Sequence, residues 1–217
     1  MTPTETKPRQ SPMTPERRQR QREREKILAQ LIYETDASGK PVYYMGYRKV
    51  LNGTLPPEAI MGSSGLQSFL VNVILGFLYT HPLRKKFQFL ASELGVQIDW
   101  KKWRSCDIAI YHRERLKDYP FTNKYIGLPP DYVIEIDTKA DLSKYKNQQA
   151  YFIEKTQQLH EFGVKKVIWI FTENIPVIWE ANAGESITIY QSWDVDLTVT
   201  EGVTFNLARL VEAEEGL

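Results

Sequence analysis

Between Leu66 and Tyr190 the apolar residues change period, and that change limits the fold more than any other feature of the chain. Leu66, Phe69, Leu70, Val73, Ile74, Phe77 and Leu78 recur at i, i+3, i+4 and i+7, the spacing of one broad helix face that should pack on a sheet. From residue 87 onward the runs are short and strand-like. Residues 87–93 and 96–100 are expected to pair with each other, followed by strands at 107–111, 132–137, 167–171, 176–180 and 187–190. A helical period returns over 147–162, where Gly163 should close the helix. At the end, 203–211 reads as a short strand leading into a short helix. Helix, strands, helix, strands in one chain argue for a mixed α/β domain around one sheet.

Composition sets the outer limits. The 217 residues, 42% of them hydrophobic, suffice for one sizeable core. Lys and Arg number 28 against 27 Asp and Glu, so no global field announces a nucleic-acid or membrane partner. The single cysteine, Cys106, excludes a disulfide within the chain and points to a reducing compartment, hence the cytoplasm. His81, His112 and His160 are scattered and have no cysteine cluster beside them, which argues against zinc. The longest apolar run, near 69–79, is too short for a membrane span and is interrupted by Asn72. The first residues have no apolar signal-peptide core.

Charge is nonetheless uneven. Residues 1–26 hold eight Lys and Arg against four Glu. Residues 1–13 are polar and proline-rich, and a disordered tail is expected there. Thr14-Pro15-Glu16 reads as a helix start, with a capping hydroxyl, proline at the first position and an early acid. That helix should run to about Tyr33, making 14–46 a basic helix and connector ahead of a domain over 47–217. The basic segment could grip phosphates. Because its charges alternate in sign, a solvated helix face laced with Glu–Arg pairs is the favoured reading.

Two strands carry acids in register. In 107–111, Asp107, Ala109 and Tyr111 share one face; in 132–137, Val133, Glu135 and Asp137 share one face. If the two strands are antiparallel neighbours, Asp107 meets Glu135 or Asp137 across the ladder, with Cβ atoms ~5 Å apart. Three carboxylates so close on a half-buried sheet need a cation or a proton. Mg²⁺ (or Mn²⁺), which takes oxygen ligands from one or two carboxylates and keeps several waters, is the natural compensator. Asp107 alone could be a strand-end acid in water. Glu135 interrupts an apolar run, and buried unpaired acids are rare.

These residues resemble a known family. Asp107, then Glu135-Ile136-Asp137-Thr138-Lys139-Ala140-Asp141, then Glu154-Lys155 eight residues before Gly163-Val164, then Val167-Ile168-Trp169-Ile170 look like the Uma-two type restriction endonucleases of the PD-(D/E)XK nuclease superfamily. The resemblance covers about residues 47–210, and Tyr47–Gly53 is similar to the family's motif before its first core helix. It implies a restriction-endonuclease-like α/β core, a mixed central β-sheet flanked by helices with an N-terminal helical extension. It also implies metal-dependent hydrolysis of phosphodiester bonds in a nucleic acid, DNA first, and by analogy a homodimer. The chain departs from the pattern at Cys106, where the superfamily has proline, at Asp137, where it has its lysine, and at Lys49, where many relatives have an acid.

A site of this kind needs a cation to orient the attacking water. Lys155 is the first candidate: Gln148, Phe152, Lys155, Leu159 and Phe162 form one stripe of the helix, and the family tends to place a lysine there. The other reading leaves it at the stripe's edge with its ammonium in water. Lys139 is second, although four residues of strand separate it from Glu135 by ~13 Å. The expected constellation is therefore Asp107 and Glu135, with the Ile136 carbonyl, holding the metal. Asp137 is a third or outer ligand, and Lys155 or Lys139 positions water. The loop Trp100-Lys101-Lys102-Trp103-Arg104 could stack bases and bind phosphates, or fold its rings onto the core. His112 and His160 read as surface or capping residues, and Gly62-Ser63-Ser64-Gly65 as a helix N-cap.

Overall fold

The computed structural model describes residues 14–173 and 177–216. The expected disordered tail, 1–13, and Pro176 lie outside these residues. In chain order the elements are α1 (Pro15–Gln30), β1 (Ile32–Thr35), β2 (Pro41–Tyr43), α2 (Tyr47–Leu51), α3 (Glu58–Met61), α4 (Gly65–Thr80), β3 (Phe87–Asp99), β4 (Lys102–His112), α5 (Arg113–Leu116), β5 (Tyr132–Ile136), α6 (Gln148–Phe162), β6 (Lys166–Phe171), β7 (Val177–Asn182), β8 (Thr188–Tyr190), β9 (Asp196–Thr200), β10 (Val203–Asn206) and α7 (Leu207–Glu215).

β5 is the hinge of the architecture. All five of its residues are buried, which is why it reads as an almost unbroken apolar run. It pairs antiparallel with β4 and parallel with β6, reached through the crossover helix α6. The central sheet runs β3-β4-β5-β6-β7-β8, with β5–β6 its parallel pair. The expected α/β class, a mixed sheet flanked by helices with an N-terminal helical extension, is the architecture found.

Alternation along the strands divides two cores. Ile108, Ile110, Ile134, Ile136, Ile168 and Ile170 face α4, α7 and the β9–β10 hairpin. Leu70, Ile74 and Leu78 of α4 complete that layer, as their spacing predicts, and Phe77 meets Phe205 with ring centroids 5.9 Å apart. Each such side chain, fully buried, contributes about 1.5–3 kcal/mol. On the opposite face Ala109, Tyr111, Val133, Val167 and Trp169 pack with Tyr151, Phe152 and Leu159 of α6. Tyr33, Val42 and Tyr44 of the N-terminal hairpin and the Cys106 thiol join the same cluster.

Three expectations need correction. The first helix ends at Gln30, not near Tyr33, because Leu31 turns inward to full burial and Ile32–Thr35 pairs with Pro41–Tyr43. Residues 87–93 and 96–100 are not partners but halves of one 13-residue strand. β3 is interrupted where Ser92 and Glu93 take φ of 73° and 54°, and its register against β4 slips between Ala91 and Leu94. Finally, only Trp100 and Lys101 form the turn after β3. Trp103 and Arg104 belong to β4, and Arg104 is fully buried.

Candidate active site

Asp107 lies just beyond the last paired residues of β4 and β5, Ile108 and Ile134. Its carboxylate takes the place of a backbone acceptor there. The Ile136 amide donates to Oδ2 at 2.7 Å, and Gln67 Nε2, from the first turn of α4, donates to Oδ1 at 3.0 Å. Gln67 also donates to the Ile136 carbonyl at 3.2 Å, so one amide fixes both oxygen donors. Ser64 caps α4 by accepting from the Gln67 backbone, which holds that turn in place and bears out the N-cap reading of 62–65. Burial raises the Asp107 carboxyl, while the Ile136 amide, Lys155 and Gln67 work against that rise.

Glu135 faces α6. Lys155 enters from the buried side of that helix, as its place in the stripe predicts, and its Nζ lies 3.1 Å from Glu135 Oε1. Neither atom has a hydrogen-bond partner among the described residues, so the contact is an ion pair out of hydrogen-bond alignment. Burial pushes the Glu135 carboxyl up to about 8, with Asp107 and Glu34 adding to the rise and Lys155 opposing it. Burial alone would lower the Lys155 ammonium. Glu135 and Glu34 outweigh it and hold the lysine charged, well above its ordinary range.

The second acid on Lys155 comes from outside the stretch that carries the sequence motifs. Glu34 of β1 is completely buried, 3.3 Å from Lys155 Nζ, and accepts from Arg104 Nη1 at 2.5 Å and Tyr151 Oη at 2.7 Å. The Ser105 amide donates to its other oxygen at 3.2 Å. Burial would raise this carboxyl, but Lys155 and Arg104 together keep it below the usual range. Arg104 is itself spread over three acceptors, adding Gln158 Oε1 at 2.6 Å and Glu154 Oε1 at 2.8 Å. In the innermost cluster Glu34, Asp107 and Glu135 face two cations, Arg104 and Lys155. Acid exceeds base there, which adds to the rise of the Glu135 carboxyl.

Sequence alternation placed Asp137 on the Glu135 face, and the structure does not. β5 ends at Ile136, and Asp137 adopts φ 53°, which breaks the two-residue period. Its carboxylate instead accepts from the Thr172 amide at 2.8 Å and the Thr172 hydroxyl at 2.5 Å, tying the end of β5 to the end of β6. Asp137 thus borders a separate open cavity of about 610 Å³ beside Phe152, Phe171 and Trp179. Lys139 does not reach back along the strand. Its Nζ pairs with Glu93 of the β3 bulge and donates to Ser63 Oγ at 3.0 Å. Glu93 in turn pushes the Asp107 carboxyl up, so the Lys139–Glu93 pair borders the Asp107 end of the site while Lys155 lies at its floor.

Asp107, Glu135 and Lys155 therefore come together; Asp137 is turned to Thr172, and Lys139 to Glu93 at the border of the site. Among the described residues no three His, Cys, Asp or Glu side chains gather closely enough to cage a metal. The trio is also covered, with 5%, 1% and 0% of the respective residues exposed. Tyr33 and Glu34 form part of the cover. The β1–β2 segment is fastened to the loop after β5, where the Met45 and Asp141 amides donate to the carbonyls of Lys139 (2.6 Å) and Tyr43 (2.7 Å). His160 Nδ1 lies against the Val164 carbonyl at 2.9 Å, in keeping with a capping role, whereas His112 is half-buried against Phe87 and not a surface residue. No helix among the described residues is long and apolar enough to cross a membrane.

No family model matches the chain, and no curated protein matches it. Among solved structures, the fold is similar to the crystal structure of a candidate nuclease belonging to DUF820 from Anabaena variabilis. The two are 15% identical with a TM-score of 0.49, over 68% of this chain and 78% of that one.

Proposed function

We propose that the protein is a metal-dependent nuclease whose site lies under its own N-terminal hairpin. One observation carries the reading: Asp107, Glu135 and Lys155 are buried together, with Lys155 Nζ 3.1 Å from Glu135 Oε1. Buried acids set beside a buried cation cluster at functional sites, where their charge can be put to use. The donor set fits a hard divalent ion. Asp107 and Glu135 supply carboxylate oxygens, and Mg²⁺ (or Mn²⁺) needs only one or two of these because it keeps most of its water. When bound, the ion would polarise a phosphate oxygen and acidify a water.

The chain's own groups supply the rest. Gln67 orients Asp107 and the Ile136 carbonyl together. Lys155, held charged by Glu135 and Glu34, donates toward the attacking water and steadies negative charge on the phosphate. Lys139 can exchange Glu93 for a phosphate oxygen at the Asp107 end. Entry of substrate requires the hairpin to move, since it covers the trio.

That cover favours a second reading. A protein that kept the core while Glu34 permanently occupies Lys155 would bind nucleic acid or a partner without cutting. Calorimetric titration of Mg²⁺ or Mn²⁺ into wild type and Glu135→Ala separates the assignments. Saturable binding lost in the variant is expected, and equal binding by both proteins ends the metal-site assignment. Incubation with single-stranded DNA, duplex DNA and RNA then gives cleavage abolished by Asp107→Ala for a nuclease, or salt-sensitive binding without cleavage for the second reading.

A further inference from the structure

α1 has no core to serve. Every residue from Thr14 to Ile27 is exposed, and none of the helix is buried. A helix that is polar all round persists through bonds along its own surface. Here these join Gln19 to Glu23 at 3.1 Å and Gln21 to Glu25 at 2.8 Å. The solvated helix face expected from the sequence is found, but its Glu–Arg pairs are not. Glu23 and Glu25 bond glutamines, and no ion pair among the described residues involves an α1 side chain.

Among the described residues, six cations of the helix have no ion-pair partner. Helical spacing puts Arg17, Arg20 and Arg24 on one stripe and Arg18, Arg22 and Lys26 on another, with Glu16 and Glu23 beside Arg20 and Glu25 beside Arg18 and Arg22. At 1.5 Å per residue each stripe extends about 11–12 Å. The helix lacks an apolar face, so it cannot lie in a lipid surface. Its charge suits a row of phosphates. The foot of α1 is fixed by the buried Leu31, and Ala29 and Gln30 line a cavity of about 400 Å³ together with Trp103, Tyr125 and Glu93. Glu93 is the partner of Lys139.

We propose that α1 is a nucleic-acid arm whose unpaired arginines grip consecutive phosphates of a single strand and lead it into the cavity at the helix foot, toward Lys139. The destination of the strand rests on the nuclease reading; the grip does not. Because the contacts are to phosphate, binding is independent of sequence and steeply salt-dependent.

The test is fluorescence anisotropy of labelled single-stranded and duplex DNA in EDTA across a salt series, on the full chain. Replacing Arg17, Arg20 and Arg24 together by Gln removes three phosphate contacts from a surface that packs against nothing. The slope of log affinity against log salt on single strands should become shallower by about 2, at roughly 0.7 per contact. Replacing Glu16, Glu23 and Glu25 by Gln should tighten binding. Equal affinity and slope in wild type and the arginine variant overturn the proposal. So does arginine-dependent binding to phosphatidylserine vesicles with none to nucleic acid. The same proteins assayed with Mn²⁺ keep the two readings apart: arginine-dependent binding without cleavage sinks the nuclease reading and leaves the arm standing.

Discussion

A glutamate with nothing aligned to receive its charge makes folding depend on pH. Glu135 titrates near 4.5 when exposed and near 8 in the folded protein, chiefly because it is buried. A raised carboxyl pKa means that the native state holds the proton more tightly than the unfolded chain. The associated stability is complete below about pH 4.5, declines above it and is gone once pH passes about 8. In EDTA, wild type should therefore lose stability relative to Glu135→Gln across that window, by at most about 1.4 kcal/mol per pH unit. Urea midpoints at several pH values check it, and parallel profiles for the two proteins would exclude the protonated glutamate. Strand alternation and the helix stripe made Asp107, Glu135 and Lys155 legible in the sequence. Glu34 and Arg104 were not, because a buried pair formed across 70 residues leaves no local period. Asp137 misled for the opposite reason: its left-handed backbone ends the alternation one residue before the pattern predicts.

Elements with strong period are legible in the sequence, and those shaped by tertiary pairing are not. α4 and α6 fall where the 3.6-residue spacing puts them, within a residue or two. The β1–β2 hairpin was missed because Ile27, Leu28, Leu31 and Ile32 also fit a helix, and only pairing with residues 41–43 decides for strand. In β3 the bulge at Ser92 and Glu93 looked like a turn between two strands. Its physical signature is backbone strain, since non-glycine residues at positive φ cost about 1–2 kcal/mol each. Ser92 is exposed and makes no side-chain hydrogen bond among the described residues. Ser92→Gly should thus raise stability by up to about 1 kcal/mol, the relief being partly offset by the freer unfolded chain. A lower melting temperature in that variant would mean the serine side chain supports the bulge. Glu93 stands differently, because its carboxylate holds Lys139.

At the scale of the whole molecule the N-terminal segment has two unequal parts. α1 touches the core only at its foot, whereas the hairpin after it is a structural wall whose Glu34 compensates Arg104 and Lys155. Cys106, the chain's single thiol, is fully buried in the cluster that includes Tyr33, Val42 and Tyr44 of that segment. Burial raises its pKa well above the ordinary thiol value, so in the native state it is neutral as well as hidden. The molecule thereby carries a built-in clock: an alkylating reagent can consume the sulfur only during excursions that lift the wall, and the consumption rate counts them. Truncating Glu34 to Ala breaks its buried ion pairs with Arg104 and Lys155, at a cost of about 3–5 kcal/mol, and should quicken alkylation at least about tenfold. Adding single-stranded DNA to wild type reports, on the same dial, whether cargo on the arm unlatches the door.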